Sequence, residues 1–127
     1  DLNELCWGSI NHDLDKKFKA AGGKYKLRYE LRPHGVSHLI GEQEHDGDPF
    51  RNYADKPMKV GWMISNEPGL YGSFRIRCAG KTYDEEIGIR IEDNLLITEK
   101  GRKNLSRGIP KTVEAIESLM CSGRKTR

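Results

Sequence analysis

Apolar positions along the chain recur with two different periods. In SINHDLDKKFKAA, residues 9 to 21, Leu14 and Phe18 stand four apart and Gly22-Gly23 follow. That spacing predicts a short amphipathic helix closed by a glycine cap. KYKLRYEL, residues 24 to 31, alternates apolar and charged residues and predicts an edge strand or an extended lead-in. From Glu42 to Pro57 the chain is polar and rich in Asp, Gly, Pro and Asn, the composition of a loop. Val60 to Asn66 predicts a buried strand stopped by Pro68 and Gly69, with a continuation from Tyr71 to Ile76. CAGKTYDEE then makes a hairpin-like excursion. Ile87 to Thr98 carries the strongest strand signal: Ile87, Ile89 and Ile91 share one face, and Arg90 and Glu92 share the other. Pro110 opens a last helix whose Val113, Ile116, Leu119 and Met120 form a stripe that reads as core. Together these elements predict an α+β class with a curved antiparallel sheet and helices on one face.

Composition narrows the picture. At 127 residues one domain is expected, long enough to bury an ordinary core. A net charge of +3 is too small to argue for nucleic acid, and several of the positive charges lie in a tail, Arg124, Lys125 and Arg127. We therefore divide the chain into a folded body, 1–121, and a basic flexible tail, 122–127. No apolar run approaches the ~20 residues of a membrane span, so no membrane partner is expected. Cys6, Cys78 and Cys121 are odd in number and scattered, which fits free thiols and a cytoplasmic setting. The chain begins with Asp1, which suggests a processed or truncated start.

Candidate chemistry lies in three stretches. His38 follows His34 on an HxxxH spacing. Glu67 sits directly against Pro68-Gly69, and Glu92 projects from the polar face of the Ile-rich strand. One imidazole and two carboxylates on rigid elements are hard-to-borderline donors that suit Mn²⁺, Co²⁺ or Zn²⁺. His12, beside Asp13 and Asp15 on the first helix, reads as solvated.

Taken together, HGVSHLIG, SNEPGLYG and GIRIEDNLLITEKG resemble, in order and spacing, the second half of the catalytic domain of the aminopeptidase P and prolidase family. GIPKTVEAIESLM looks like that family's closing strand and helix. The resemblance covers roughly residues 30 to 120 and implies the pita-bread fold and hydrolysis of the peptide bond before proline. It implies two divalent metal ions, Mn most expected and Co or Zn possible alternatives, and a hydroxide bridging them as nucleophile. It implies His38, Glu67 and Glu92 as metal ligands, Glu67 also as general base and Glu92 as the bridge between the metals. His34 and His45 would line the substrate site and stabilise the scissile carbonyl and its proline side. Tyr71 and Arg90 would stand behind the metals, Tyr71 near substrate and Arg90 orienting a carboxylate. EQEHDGD departs from the family's more apolar stretch before its His-Asp pair, which loosens the role of His45.

The same family uses a further pair of aspartates eleven positions apart. Eleven residues after Asp13, Asp46, Asp48 and Asp55 stand Lys24, Pro57, Lys59 and Asn66, so no such pair is present. The expectation is a C-terminal half-domain, inactive or nearly so alone, whose partners are the missing N-terminal half and an Xaa-Pro peptide. The parent is expected to be a homodimer. The alternative is a non-catalytic pita-bread module that binds peptide or protein; retention of His38, Glu67 and Glu92 argues for descent from an enzyme.

Overall fold

The computed structural model describes residues 2–28, 33–47, 53 and 55–122. Helix α1 spans Leu2–Ala20, seven residues earlier than the apolar spacing suggested, because Trp7 anchors its first half in the core. Its end is as predicted. Gly22 takes φ 62°, Gly23 N donates to Phe18 O at 2.9 Å and Gly22 N to Lys19 O at 3.4 Å. This is the Schellman arrangement, which satisfies the last carbonyls of the helix.

Six strands follow: β1 Lys24–Leu27, β2 Met63–Asn66, β3 Gly69–Cys78, β4 Lys81–Arg90, β5 Asp93–Thr98 and β6 Gly101–Asn104. They form two antiparallel three-stranded sheets, ordered β1-β3-β4 and β2-β5-β6. β1 is an edge strand as expected; Arg28 follows it, its N donating to Tyr71 O at 2.9 Å, and the remainder of that predicted stretch, 29–31, lies outside the described residues. β2 is shorter than the predicted strand: Gly61 turns at φ 90° and Trp62 N closes back on Lys59 O, so Val60 belongs to a turn. The excursion after Cys78 is a tight hairpin in which Ala79 (φ 49°) and Gly80 (φ 79°) both take the left-handed conformation that fits strand twist. β6 was not foreseen; RKN carries no apolar alternation to mark it.

The main correction concerns Ile87 to Thr98. It is not one strand but the end of β4 and all of β5, in different sheets. The chain also changes sheets between β2 and β3, at Glu67-Pro68, so Pro68-Gly69 redirects the strand rather than ending it. The two crossings lie side by side. The ladders run Asn66↔Asp93 on one side and Gly69↔Arg90 on the other, and Ile91 N donates to Pro68 O at 3.2 Å. Extending the first ladder by one step, or the second by two, sets position 67 opposite position 92.

HGVSHLIG lines the free edge of β2. Glu67 N donates to Val36 O, Ser65 N to His38 O and Ile40 N to Met63 O, each at 2.9 Å. An unpaired row of backbone groups is thereby covered. Among the described residues the buried apolar side chains are Trp7, Val36, Ile64 and Phe74. Phe74 packs against Phe18 and Tyr25, ring centroids 5.6 and 6.1 Å away, which ties α1 and β1 to β3.

Helix α2, Val113–Ser122, starts after Pro110 because Thr112 caps it, its Oγ1 accepting from Ala115 N at 3.2 Å. Its apolar stripe is not core: Val113 is 67 % and Leu119 61 % exposed. Helical spacing defines an apolar face, and here none of the described elements packs against it. Of the proposed tail, residues 123–127 lie outside the described residues, as do 48–52 and 54 of the predicted loop.

Candidate metal and catalytic site

The side-by-side crossings place polar side chains where a core would otherwise be. His38, Ser65 and Glu67 are the buried polar residues among those described, at 7, 0 and 6 % exposure. Buried carboxylates and imidazoles are tolerated only when bonded or paired, and each of these is. His38 Nδ1 donates to Leu39 O at 3.0 Å; a carbonyl only accepts, so the proton sits on that nitrogen. Nε2 then faces Glu67 Oε1 at 3.0 Å. Two lone-pair atoms at that range repel unless a proton or a metal cation stands between them.

Those donors suit a divalent metal. Each would lie ~2.1 Å from a shared ion, and a 3.0 Å separation falls well within the span such an ion can bridge. A ligating imidazole ordinarily donates its other N–H to a carbonyl or carboxylate, as His38 does to Leu39.

Behind the pair stands a chain of bonds. Arg90 NH1 donates to Glu67 Oε2 at 3.3 Å and Arg90 Nε to the Tyr71 hydroxyl at 3.0 Å. Tyr71 in turn approaches His34 Nε2 at 3.4 Å, while His34 Nδ1 donates to Gly35 O at 2.8 Å. The bond to Tyr71, then the charges of Glu67 and Glu92, push the Arg90 pKa further up, so it is a permanent cation. His34 sits edge-on between Tyr71 and Trp7, with ring centroids 5.9 and 5.5 Å away. His45 is exposed, yet its ring lies against His38, 4.2 Å between centroids. The distant stretches singled out in the sequence therefore do meet.

Glu92 is the exception. Its backbone is opposite Glu67 and its charge is felt by Arg90, but its side chain is exposed in the two-residue step between β4 and β5. Among the described residues no group of three or more His, Cys, Asp or Glu side chains is gathered to hold a metal. Thus the structure joins two of the three expected ligands. Ser65, which bonds to both of them, was missed; its only sequence signal is its place two residues before Glu67, on the same side of the strand.

Just past Glu92, Asp93 pins the start of β5. It accepts from Ser106 Oγ at 2.7 Å and from Lys111 Nζ at 2.9 Å. Bonds from Ser106, then Lys111 and Asn104, lower its pKa from 3.8 to about 2. A depressed folded-state pKa contributes stability above the unfolded value, and that contribution is lost as pH falls through the folded value. The expected loss between about pH 4 and 2 is roughly 1–2 kcal/mol, allowing for partial exposure of the pair. Urea denaturation over that range checks it; Lys111→Met should flatten the profile.

Two hard-to-borderline donors, buried at a crossing of two antiparallel sheets and braced by an arginine, are of the type that metal-dependent hydrolases use. Comparison with known proteins gives the same class. The model of metallopeptidase family M24 matches residues 4–99. Xaa-Pro aminopeptidase 1 of Streptomyces coelicolor is 36 % identical over 121 residues, 91 % of this chain and 23 % of the relative. The Xaa-Pro aminopeptidase of Escherichia coli is 37 % identical over 94 residues, covering 72 % and 20 %. Among solved structures, a Bacillus anthracis protein assigned as an aminopeptidase P superposes with a TM-score of 0.67 at 33 % identity, over 95 % of this chain and 25 % of that one. Escherichia coli aminopeptidase P with the inhibitor Pro-Leu gives 0.57 at 32 %, over 90 % and 24 %.

This chain belongs to metallopeptidase family M24, and its fold is the matching C-terminal part of the aminopeptidase P, or pita-bread, fold. It spans about a fifth to a quarter of the length of the relatives it matches.

Proposed function

We propose that this chain supplies the C-terminal part of the catalytic domain of a metal-dependent Xaa-Pro aminopeptidase or dipeptidase. The observation that carries this reading is the buried contact of His38 Nε2 with Glu67 Oε1, held from both sides by Leu39 O and Arg90. Its support in relatives is the name Xaa-Pro aminopeptidase borne by proteins that match most of this chain.

In this reading His38 and Glu67 hold one side of a dinuclear site and Glu92 turns inward to join them. Bound divalent ions, Mn²⁺ in our proposal, would acidify water and polarise the scissile carbonyl. Glu67 accepts the proton of the attacking water, its Oε2 bonded by Arg90 and its Oε1 on the side of His38. His45, on the open side of His38, and His34, braced by Tyr71, line the path of the peptide bond and the proline ring. The three cysteines are free thiols, which suits the cytoplasmic setting we propose.

The remaining half of the cage, including two aspartates, comes from the first half of the domain. Ile89 at 53 % exposure, together with the stripe on α2, offers apolar surface for that half to cover. The test is an assay with Mn²⁺ on an Xaa-Pro peptide, of this chain alone and of the chain joined to its first half. The chain alone should show no turnover, and the joined domain should release the residue ahead of proline. Robust turnover by the chain alone overturns the half-site. An inert joined domain that binds peptide overturns the enzyme in favour of a binding module.

A further inference from the structure

Ser65 is fully buried, at 0 % exposure, and its backbone N and its hydroxyl are both directed at the two residues of the site. Its backbone N donates to His38 O at 2.9 Å, and its Oγ accepts from His38 N at 2.9 Å. The hydroxyl has one proton. A backbone N–H can only donate, so that proton is free to go to the remaining neighbour, Glu67 Oε1, 3.0 Å away. One hydroxyl thereby ties the backbone of the imidazole donor to the side chain of the carboxylate donor. Oε1 is also the oxygen that faces His38 Nε2, whereas Arg90 holds only Oε2. Without Ser65, the carboxylate could rotate about its last bond and still keep its arginine.

We propose that Ser65 is a positioning residue, which sets the rotamer of Glu67 and its spacing to His38 Nε2, and through them the cation affinity of the pair. This rests on the metal reading given above. The nearest alternative role is plain packing in β2, where the neighbouring Ile64 is also buried. Packing and positioning separate cleanly in the Thr and Val variants, which share a shape and differ by a hydroxyl against a methyl.

The experiment titrates Co²⁺ into the joined domain carrying Ser65→Thr, Ser65→Val or Ser65→Ala. It follows the visible d–d absorption, whose position and intensity report ligand geometry. Ser65→Thr should keep the native spectrum and an affinity within about threefold of it. Ser65→Val and Ser65→Ala should change the band and weaken binding 10–100-fold, the range for lost outer partners of metal ligands. Far-UV circular dichroism should stay unchanged. On an Xaa-Pro peptide the loss should fall in kcat rather than KM. A native Co²⁺ band and affinity in Ser65→Val overturn the positioning role alone; if that variant fails to fold, Ser65→Ala is judged by the same criterion. Absence of any Co²⁺ band in the native domain overturns the metal reading, and the role of Ser65 with it.

Discussion

Glu67→Gln in the joined domain should lower kcat/KM for an Xaa-Pro peptide by roughly 10²–10⁴-fold, the range associated with removing a positioned general base, the role proposed for Glu67. The substitution keeps the volume of the side chain and can still accept from Ser65 Oγ on its amide oxygen, so the fold should survive. What it loses is the charge that faces His38 Nε2 at 3.0 Å and the acceptor that Arg90 NH1 reaches at 3.3 Å. Arg90 is left with Tyr71 as its hydrogen-bond partner. Bound metal, measured by elemental analysis after dialysis, should fall in parallel with activity. Turnover within tenfold of native, at native metal content, would remove Glu67 from both of its proposed roles.

Phe74→Ala should be the most damaging substitution for the fold, costing about 3–5 kcal/mol. Its ring is 6 % exposed and is wedged between Phe18 of α1 and Tyr25 of β1. These two rings also touch each other, 5.1 Å between centroids, so removing Phe74 opens a cavity that no single neighbour can fill. The core is small, with Trp7, Val36 and Ile64 as the other buried apolar residues described. A loss of that size approaches the total stability of many domains. Phe74→Leu keeps most of the volume and should cost less than about 1.5 kcal/mol. The urea midpoints of the two variants decide it; a fall of under 1 kcal/mol for Phe74→Ala would show that the aromatic cluster is not what joins the helix to the sheet.

Much of this was legible along the chain, and the legible parts have local causes. Gly22-Gly23 closes α1 because glycine tolerates the left-handed conformation there. Gly80 takes one left-handed position of the hairpin between β3 and β4 for the same reason, while Ala79 takes the other against the preference of a residue with a Cβ. His38 and Glu67 were readable from their motifs, and the structure puts them in contact. The double role of β2–β3 and β4–β5 was not readable. IGIRIEDNLLIT alternates well enough to look like one strand, and only its pairing, with β3 on one side of Ile91-Glu92 and with β2 on the other, divides it. Ser65 was hidden for a similar reason: a serine in a strand is unremarkable until His38, 27 positions away, is hydrogen-bonded to it.

By itself the chain's chemistry determined where helices and hairpins end, which residues can donate to a cation, and the family. The first two depend on φ preferences, missing N–H groups and donor atoms, properties of a residue and its near neighbours, whereas the family rests on the resemblance of three motifs in order and spacing. Tertiary structure alone decided that the two carboxylates stand at paired crossings, that Glu67 is buried while Glu92 is exposed, and that the stripe on α2 is open to solvent. Each of those depends on which distant segment packs or pairs alongside, and periodicity says which face is apolar without saying what lies against it.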